Sequence, residues 1–524
     1  MRVTNKIIQN NSVSNINTNK TLQDKLNNQM ATEKKIVRPS DDPVVAIRAL
    51  RLRTNVSQVT QYYSKNIPDA NSWLDVTENA LTTVSDVLTD MIEQATKGSS
   101  EKLTSTDRQT ILDALVALRD EVYSTGNADY AGRSVFTGYR TETTLMYTEA
   151  TNQKYSITEQ INNTALDTVT YVNTNGLNGV NEGNYQSTTI AEQSITENTL
   201  HRIRLAYGNC DKDVNPEIAL FDKEAGPDDP KFKTVYKAEV ISENAATSPY
   251  EKMREYNEAG AAEVVFIPET GELLISDAVY DELMKLKDDI TSPTLDESQI
   301  QITYQKSVWD KGDLKPEHYF ACIDKSDADP KNHIKYNQDY LKGIVEKQAI
   351  EYDVGISQSI RVNTTADEVF THAIGRDVDD LVSVLNETIT METTIARLEK
   401  IKSGLTETDA GYDKITEQLD AANKALTYLN EKRQKMFEGS ITKMQEHLNK
   451  ANEATTACGT RGKKLELIQN RLMSQKTNFE TLESENENVD LTEVAIQLSN
   501  AELTYQAALM SVGKILQTSL MNYI

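Results

Sequence analysis

A chain of 524 residues exceeds the size at which a single hydrophobic core keeps growing, so more than one domain is expected. A formal charge of −25 argues against nucleic acid as a partner, because a polyanion is repelled by everything except a segregated basic patch. Three scattered cysteines, Cys210, Cys322 and Cys458, have no C-x-x-C spacing and no neighbouring histidine cluster, which argues against a zinc site or a disulfide framework and leaves free thiols.

The first 54 residues are the electrostatic exception. They carry ten Lys or Arg against four Asp or Glu, a local balance of +6 that leaves −31 for the rest. A solvated helix face is the simple explanation. Residues 1–40 read as an N-terminal assembly helix or arm, with eight asparagines in the first 30 positions and a loose apolar series of Val3, Ile7, Ile8, Val13, Ile16, Leu22, Leu26 and Met30. Asparagine is a poor helix former, so such a helix needs packing from outside to persist. Met1 to Met30 lacks the apolar stretch of a cleavable signal peptide, and no apolar run approaches the roughly 20 residues that span a bilayer, so neither membrane insertion nor signal-peptide secretion is expected.

Residues 41–150 read as the first half of a helical bundle plus a β-hairpin. In Pro39-Ser40-Asp41-Asp42-Pro43, Asp42 is placed to cap a helix whose first position is Pro43, the helical site that proline favours. From Val45 an alternating four-three series runs through Ala49, Leu52, Val56, Val59, Tyr63, Ala70, Trp73, Ala80, Val84, Val87 and Met91, broken only at Asn66 and Thr77. A second series, Ile67, Leu74, Leu81 and Leu88, widens the buried face from a two-stranded seam to a bundle. Pro68 predicts a kink or restart. Thr104-x-x-Asp107 forms a capping box for a shorter helix striped by Ile111, Leu115, Leu118 and Val122, and Ser134 to Tyr147 reads as a hairpin or extended turn around Gly138.

From 151 to 365 the chain turns to Thr, Asn, Tyr and Val with dispersed Gly and Pro, including Gly226-Pro227-Asp228-Asp229-Pro230, and reads as one or two β-rich outer domains inserted into the helical frame. Residues 366–490 restore helical periodicity through Val378, Leu381, Leu385 and Ile389, pause near Ser403-Gly404 and Gly411, and resume at Ile415, Leu419, Ala422, Leu426 and Leu429. A further series from Met444 to Leu465 puts Cys458 on a packed face as a small core hydrophobe.

Residues 491–524 read as a C-terminal assembly helix. Leu491, Val494, Leu498, Ala501, Tyr505, Ala508, Val512 and Ile515 alternate three and four residues apart, while Ile496, Leu503, Leu509, Met510, Leu516 and Leu520 occupy other faces. A helix apolar on most faces needs partners around it, and a chain end is most simply covered by other protein copies. The seam residues, with Leu520 and with Val3 and Ile7 from the other end, are the predicted assembly interface. The expected fold class is α+β, an elongated antiparallel helical bundle built from both chain ends around a mainly β insertion.

Reactive chemistry is missing. H-E-x-x-H, G-x-S-x-G and the phosphate-binding glycine motifs do not occur, and Gly459-Thr460-Arg461-Gly462-Lys463-Lys464 has the wrong spacing for a phosphate loop. Asp324 to Asp329 with His333 offers at most a weak cation site. No catalytic, cofactor-binding or metal-binding residue is assigned, and no enzyme activity is expected.

Five segments resemble the flagellin superfamily: Met1-Arg2-Val3-Thr4; Lys35-Ile36-Val37-Arg38 leading into Pro39-Ser40-Asp41-Asp42-Pro43; Asp129-Tyr130-Ala131-Gly132-Arg133-Ser134-Val135-Phe136-Thr137-Gly138-Tyr139; Gly459 to Glu466; and Leu498 to Ile524. Filament flagellins usually read Ala-Asp-Asp-Ala-Ala-Gly where this chain has its two prolines, which favours the branch of the superfamily at the joint between hook and filament over filament flagellin. The resemblance implies a structural subunit exported by the flagellar type III route, held by an export chaperone on its C-terminal helix, and self-associated in a ring beside a hook-associated neighbour and filament flagellin. A more remote alternative is an axial protein whose insertion carries an enzyme or a glycan-binding module.

Overall fold

The computed structural model describes residues 5–100, 103–221, 232–285, 300–342, 348–409 and 411–521. Its helices are α1 (Asn5–Thr32), α2 (Pro43–Gln61), α3 (Ile67–Gly98), α4 (Ser105–Thr125), α5 (Pro249–Ala259), α6 (Asp277–Lys285), α7 (Ala366–Val369), α8 (His372–Ser403), α9 (Tyr412–Glu487) and α10 (Leu491–Met521). The strands are β1 (Asp129–Tyr130), β2 (Arg133–Ser134), β3 (Tyr155–Ile161), β4 (Leu166–Asn173), β5 (Thr196–Arg204), β6 (Glu217–Phe221), β7 (Phe232–Lys237), β8 (Glu239–Val240), β9 (Val264–Ile267), β10 (Glu272–Ile275), β11 (Ile300–Lys306), β12 (Ala321–Asp324), β13 (Ile334–Tyr336), β14 (Glu351–Gly355) and β15 (Gln358–Arg361). The class is α+β. The chain divides into a terminal unit, residues 1–71, 352–360 and 462–524, and a central unit, residues 72–351 and 361–461.

The central unit is built around conventional cores. Along α3 the buried positions are Trp73, Leu74, Ala80, Leu81, Val84, Leu88, Met91 and Ala95, with Thr77 among them. Thr77 is tolerated because its Oγ1 donates to the Trp73 carbonyl at 2.9 Å, so its buried hydroxyl is paired. The capping box at Thr104 and Asp107 opens α4, which packs on α8. Their approach is tight at Gly375, where a Cβ would lie 2.8 Å from the Tyr123 hydroxyl oxygen, and that hydroxyl donates to Thr371 O and accepts from Gly375 N.

Two antiparallel-rich sheets make up the insertion. One has strand order β13-β12-β3-β11-β6-β7, the other β4-β5-β10-β9-β8, with only the β8–β9 pair parallel. A single apolar cluster draws Ile157, Ile302 and Tyr304 from the first sheet and Ile203, Phe266, Leu273 and Ile275 from the second, with Val279 and Leu283 of α6. Val265, Ile267 and Leu274 point the other way, toward Met253 of α5. Burial on both faces explains why β9 reads Val-Val-Phe-Ile without alternation. The turn between these strands requires Gly271: its φ is +68°, and a Cβ there would sit 2.0 Å from Tyr207 O.

A buried ionic network ties β5 to the helices of the same unit. Arg202 bridges Glu272 and Asp380, and Arg204 reaches Asp380 at 2.8 Å and Asp377 at 2.7 Å. Asp377 also meets His447 Nε2 of α9 at 2.9 Å and Lys443 at 3.5 Å. Burial alone would push the Asp377 carboxyl up, but the His447 hydrogen bond with Arg204 and Lys443 holds it well below the ordinary aspartate value.

Several expectations need correction. The hairpin is β1–β2, at residues 129–134, while 134–147 takes the extended-turn alternative, with Ser134 N donating to Thr141 O and Thr143 N to Arg140 O; the hairpin's turn residues Ala131 and Gly132 both have positive φ, at 52° and 76°, and an alanine there gives no turn signal. The insertion carries helices α5 and α6 beside its strands. The pause near Ser403-Gly404 and Gly411 does separate two helices, α8 and α9, and the two apolar series after Gly411 lie on one 76-residue helix, α9. Gly439, Gly459 and Gly462 do not break it, because each faces open space while buried Phe437, Met444, Ala451, Cys458 and Leu465 continue the seam. All three cysteines are free and buried, and burial raises their thiol pKa values to about 12 for Cys210 and Cys322 and about 11 for Cys458. The Asp324–Asp329 loop spends its carboxylates on its own turns, with Asp327 accepting from Asp329 N and Asn332 and Asp329 accepting from Lys331 N.

Candidate assembly surface

Both ends of the sequence meet in the terminal unit. Helix α1 pairs with α10, and the last turn of α1 lies by the first turn of α10, so the pair is antiparallel. At the join, Lys35 N donates to Glu487 O at 2.8 Å and Val489 N to Glu33 O at 3.0 Å. Glu487 is almost wholly buried there and takes the Arg53 guanidinium of α2 in a bidentate pair, with Lys34 at 3.3 Å. The hydrogen bonds from Arg53, opposed by burial and reinforced by Lys34, hold its carboxyl below the ordinary glutamate value.

The segment between α1 and α2 is fixed by aspartates. Following Pro39 and Ser40, Asp41 Oδ2 accepts from Val37 N and Arg38 N; Asp42 Oδ1 accepts from Val44 N and Val45 N and caps α2, with Pro43 at its first position. At the other end of α2, Ile67 N donates to Tyr62 O, five residues back, in a single π-turn over Tyr62–Asn66. This widened turn precedes Pro68, which has no N–H to return to Ser64. Asn66 donates to Asp353 O at 2.7 Å, which accounts for a polar residue in the stripe.

The α10 seam turns toward α1 in part. Val494 is 2 % exposed and Ala501 is buried, while Leu498, Tyr505, Ala508 and Val512 are half-buried on the same face. Leu26 of α1 joins Val494 and Ala501 in a small cluster with Val489 and Leu498. Leu491 stands apart at 44 % exposure, because it opens the helix before the first inward turn. Ile7 is also outward, at 49 %, since α1 presents Ile8, Ser12, Ile16, Asn19, Gln23 and Leu26 on its less exposed face. Val3 lies outside the described residues, and the side chains of Ile515 and Leu520 do as well.

A second face of α10 remains open. Ile496, Leu503 and Met510 recur at intervals of seven and are each more than half exposed. Half of the α1 face opposite the seam is polar, so this pair buries little apolar surface for its length. The Arg53–Lys34–Glu487 knot was not legible in the sequence: no periodicity links charges more than 430 residues apart.

Comparison with known proteins shows what the amino-terminal region is similar to. Residues 3–141 match the family described as the bacterial flagellin N-terminal helical region. The amino-terminal region is flagellin-like. Flagellar hook-associated protein 3 of Escherichia coli K12 is 32 % identical over 120 residues, which is 23 % of this chain and 38 % of that protein. The protein of the same name from Salmonella typhimurium LT2 is 29 % identical over 143 residues, 27 % of this chain and 45 % of that protein. The chain thus spans less than half the length of these two relatives. Among solved structures, a flagellar hook-associated protein from Vibrio parahaemolyticus aligns over 86 % of this chain and all of its own, at 12 % identity and a TM-score of 0.33.

Proposed function

We propose that the chain is a structural subunit of the bacterial flagellum that joins hook to filament and assembles through its paired terminal helices. The observation that carries this reading is the conjunction of a flagellin-like N-terminal region, similar in sequence to hook-associated protein 3, with a terminal α1–α10 pair whose outer faces stay apolar and uncovered. Apolar area removed from water contributes about 25 cal/mol per Å², so neighbours that cover Ile496, Leu503 and Met510 supply the burial the isolated pair lacks. In this reading the copies form a ring, with a second hook-associated protein on one side and filament flagellin on the other. Export by the flagellar type III route, with a chaperone covering α10, belongs to the same proposal: a weakly packed chain end is easily threaded and needs cover before assembly.

Imaging the labelled chain on intact flagella tests the proposal directly. A narrow band between hook and filament is expected; label distributed along the filament would mean filament flagellin instead, and label absent from the flagellum would overturn both.

A further inference from the structure

Helix α2 presents an outward ridge unlike any other face of the terminal unit. Val44, Ile47 and Leu50 are 60 %, 53 % and 62 % exposed, and Arg48 and Arg51, also exposed, flank them. Steps of three and four residues put Val44, Ile47 and Arg51 in one row, with Arg48 and Leu50 on either side. The helix contains no Asp or Glu, and neither Arg48 nor Arg51 has an ion pair among the described residues. Two guanidinium groups without an ion pair, on a helix that has no acidic side chain, describe a surface for an acidic partner.

The same chain carries a complement. On α3, Asp75, Glu78, Asp86, Asp90 and Glu93 lie on one exposed face together with Thr82. At a rise of 1.5 Å per residue this stripe is about 27 Å long. Only Glu93 has a cationic partner among the described residues, Lys97 at 2.8 Å. Asp75–Glu78, Asp86–Asp90 and Asp90–Glu93 are like-charge neighbours one turn apart, each a few tenths of a kcal/mol unfavourable in an isolated helix. An incoming cationic surface relieves that repulsion.

We infer that the α2 ridge of one copy docks on the α3 acidic stripe of the next, a head-to-tail contact between copies. The inference rests on the proposed self-assembly and specifies which faces meet. Every copy has one ridge and one stripe, so the contact is heterologous and propagates from copy to copy, closing into a ring where the rotation permits. Opposite charge sets the pairing and the encounter rate.

The test uses the full-length chain with Arg48→Glu/Arg51→Glu, with Asp86→Lys/Asp90→Lys, and with all four changes together. All four positions are exposed, and circular dichroism checks that each variant is folded. Sedimentation at low ionic strength is expected to show wild-type self-association that weakens with added salt. Either pair of reversals is expected to weaken it roughly ten-fold or more, while the quadruple variant, and an equimolar mixture of the two double variants, recover association. A wild-type chain that stays monomeric at every salt concentration, reversals without effect, or a quadruple variant no better than the double variants would each overturn the inference. So would a ridge that binds anionic vesicles or DNA but not the chain itself. Should the inference fail while the labelled chain still bands between hook and filament, the proposed function stands; association through these faces by a chain absent from the flagellum would show the reverse.

Discussion

The terminal and central units solve the same problem, packing long helices, in opposite ways. In the central unit, α3, α8 and α9 bury whole side chains: Leu81, Leu88, Met91, Leu385 and Phe437 have no measurable exposure. In the terminal unit, α1 and α10 share one narrow seam, half polar on the α1 side, and leave Ile496, Leu503 and Met510 in water. The contrast separates stability from association. The central unit buries its helices within one chain, whereas the terminal unit leaves one apolar face of α10 exposed.

Removing the open helix breaks the comparison most severely. Deletion of Leu491–Ile524 is expected to abolish assembly between hook and filament while the central unit keeps its fold, seen as retained near-ultraviolet dichroism together with cells that lack attached filaments. Motile cells with filaments after this deletion would remove α10 from the assembly surface. Next in size is Asp377→Ala in the central unit, which leaves His447 without its buried carboxylate and Arg204 with Asp380 alone, and is expected to cost about 3–5 kcal/mol in denaturant unfolding. The same carboxyl sets an acid limit. Its folded pKa lies below the ordinary 3.8, so its contribution is present above that value and is lost as pH falls further. Wild-type unfolding followed between pH 5 and 2 is expected to show this extra acid dependence, and Asp377→Asn to lack it. Leu385→Ala follows, at about 2–5 kcal/mol, because a cavity in a fully buried site collapses only partly.

How much of this was legible in the sequence depended on whether a feature repeats. The α3 stripe, the Thr104 capping box and the pause at Ser403–Gly404 were readable, because spacing along one helix is a property of the local sequence. The α10 seam was readable as a pattern too, but not its division into an inward face and an open one, which depends on where α1 lies. Ion pairs were not readable. Arg202 and Asp380 stand 178 residues apart, and among 80 acidic side chains no local rule selects Asp377 and Asp380 as the pair that strand β5 meets. The β1–β2 hairpin escaped for a different reason, since its turn forces Ala131 into a left-handed conformation that glycine or asparagine normally marks.

Smaller effects sharpen the contrast at the join between α1 and α9. Glu487→Gln removes the charge that Arg53 and Lys34 share, and it is expected to speed amide exchange at Lys35 and Val489 without altering exchange in the central unit. Unchanged exchange at both amides would mean that the backbone bridge holds without the ionic knot. The wild type should show the same loosening in acid: Glu487 has a depressed pKa, so its contribution is complete above the ordinary 4.5 and fades as pH falls below it.

The smallest expected effect on the monomer is the most discriminating. Ile496→Ser and Leu503→Ser alter side chains that already stand in water, so unfolding of the isolated chain should move by no more than about 0.5 kcal/mol. If neighbours cover that face on assembly, the same changes remove apolar burial from every copy-to-copy contact, and the loss repeats around the whole structure. The expected signature is an undisturbed melting curve beside weakened attachment of filaments under shear. A lowered melting temperature would instead mean that Ile496 and Leu503 are already packed within the monomer, and the division between a self-sufficient centre and dependent ends would have to be redrawn.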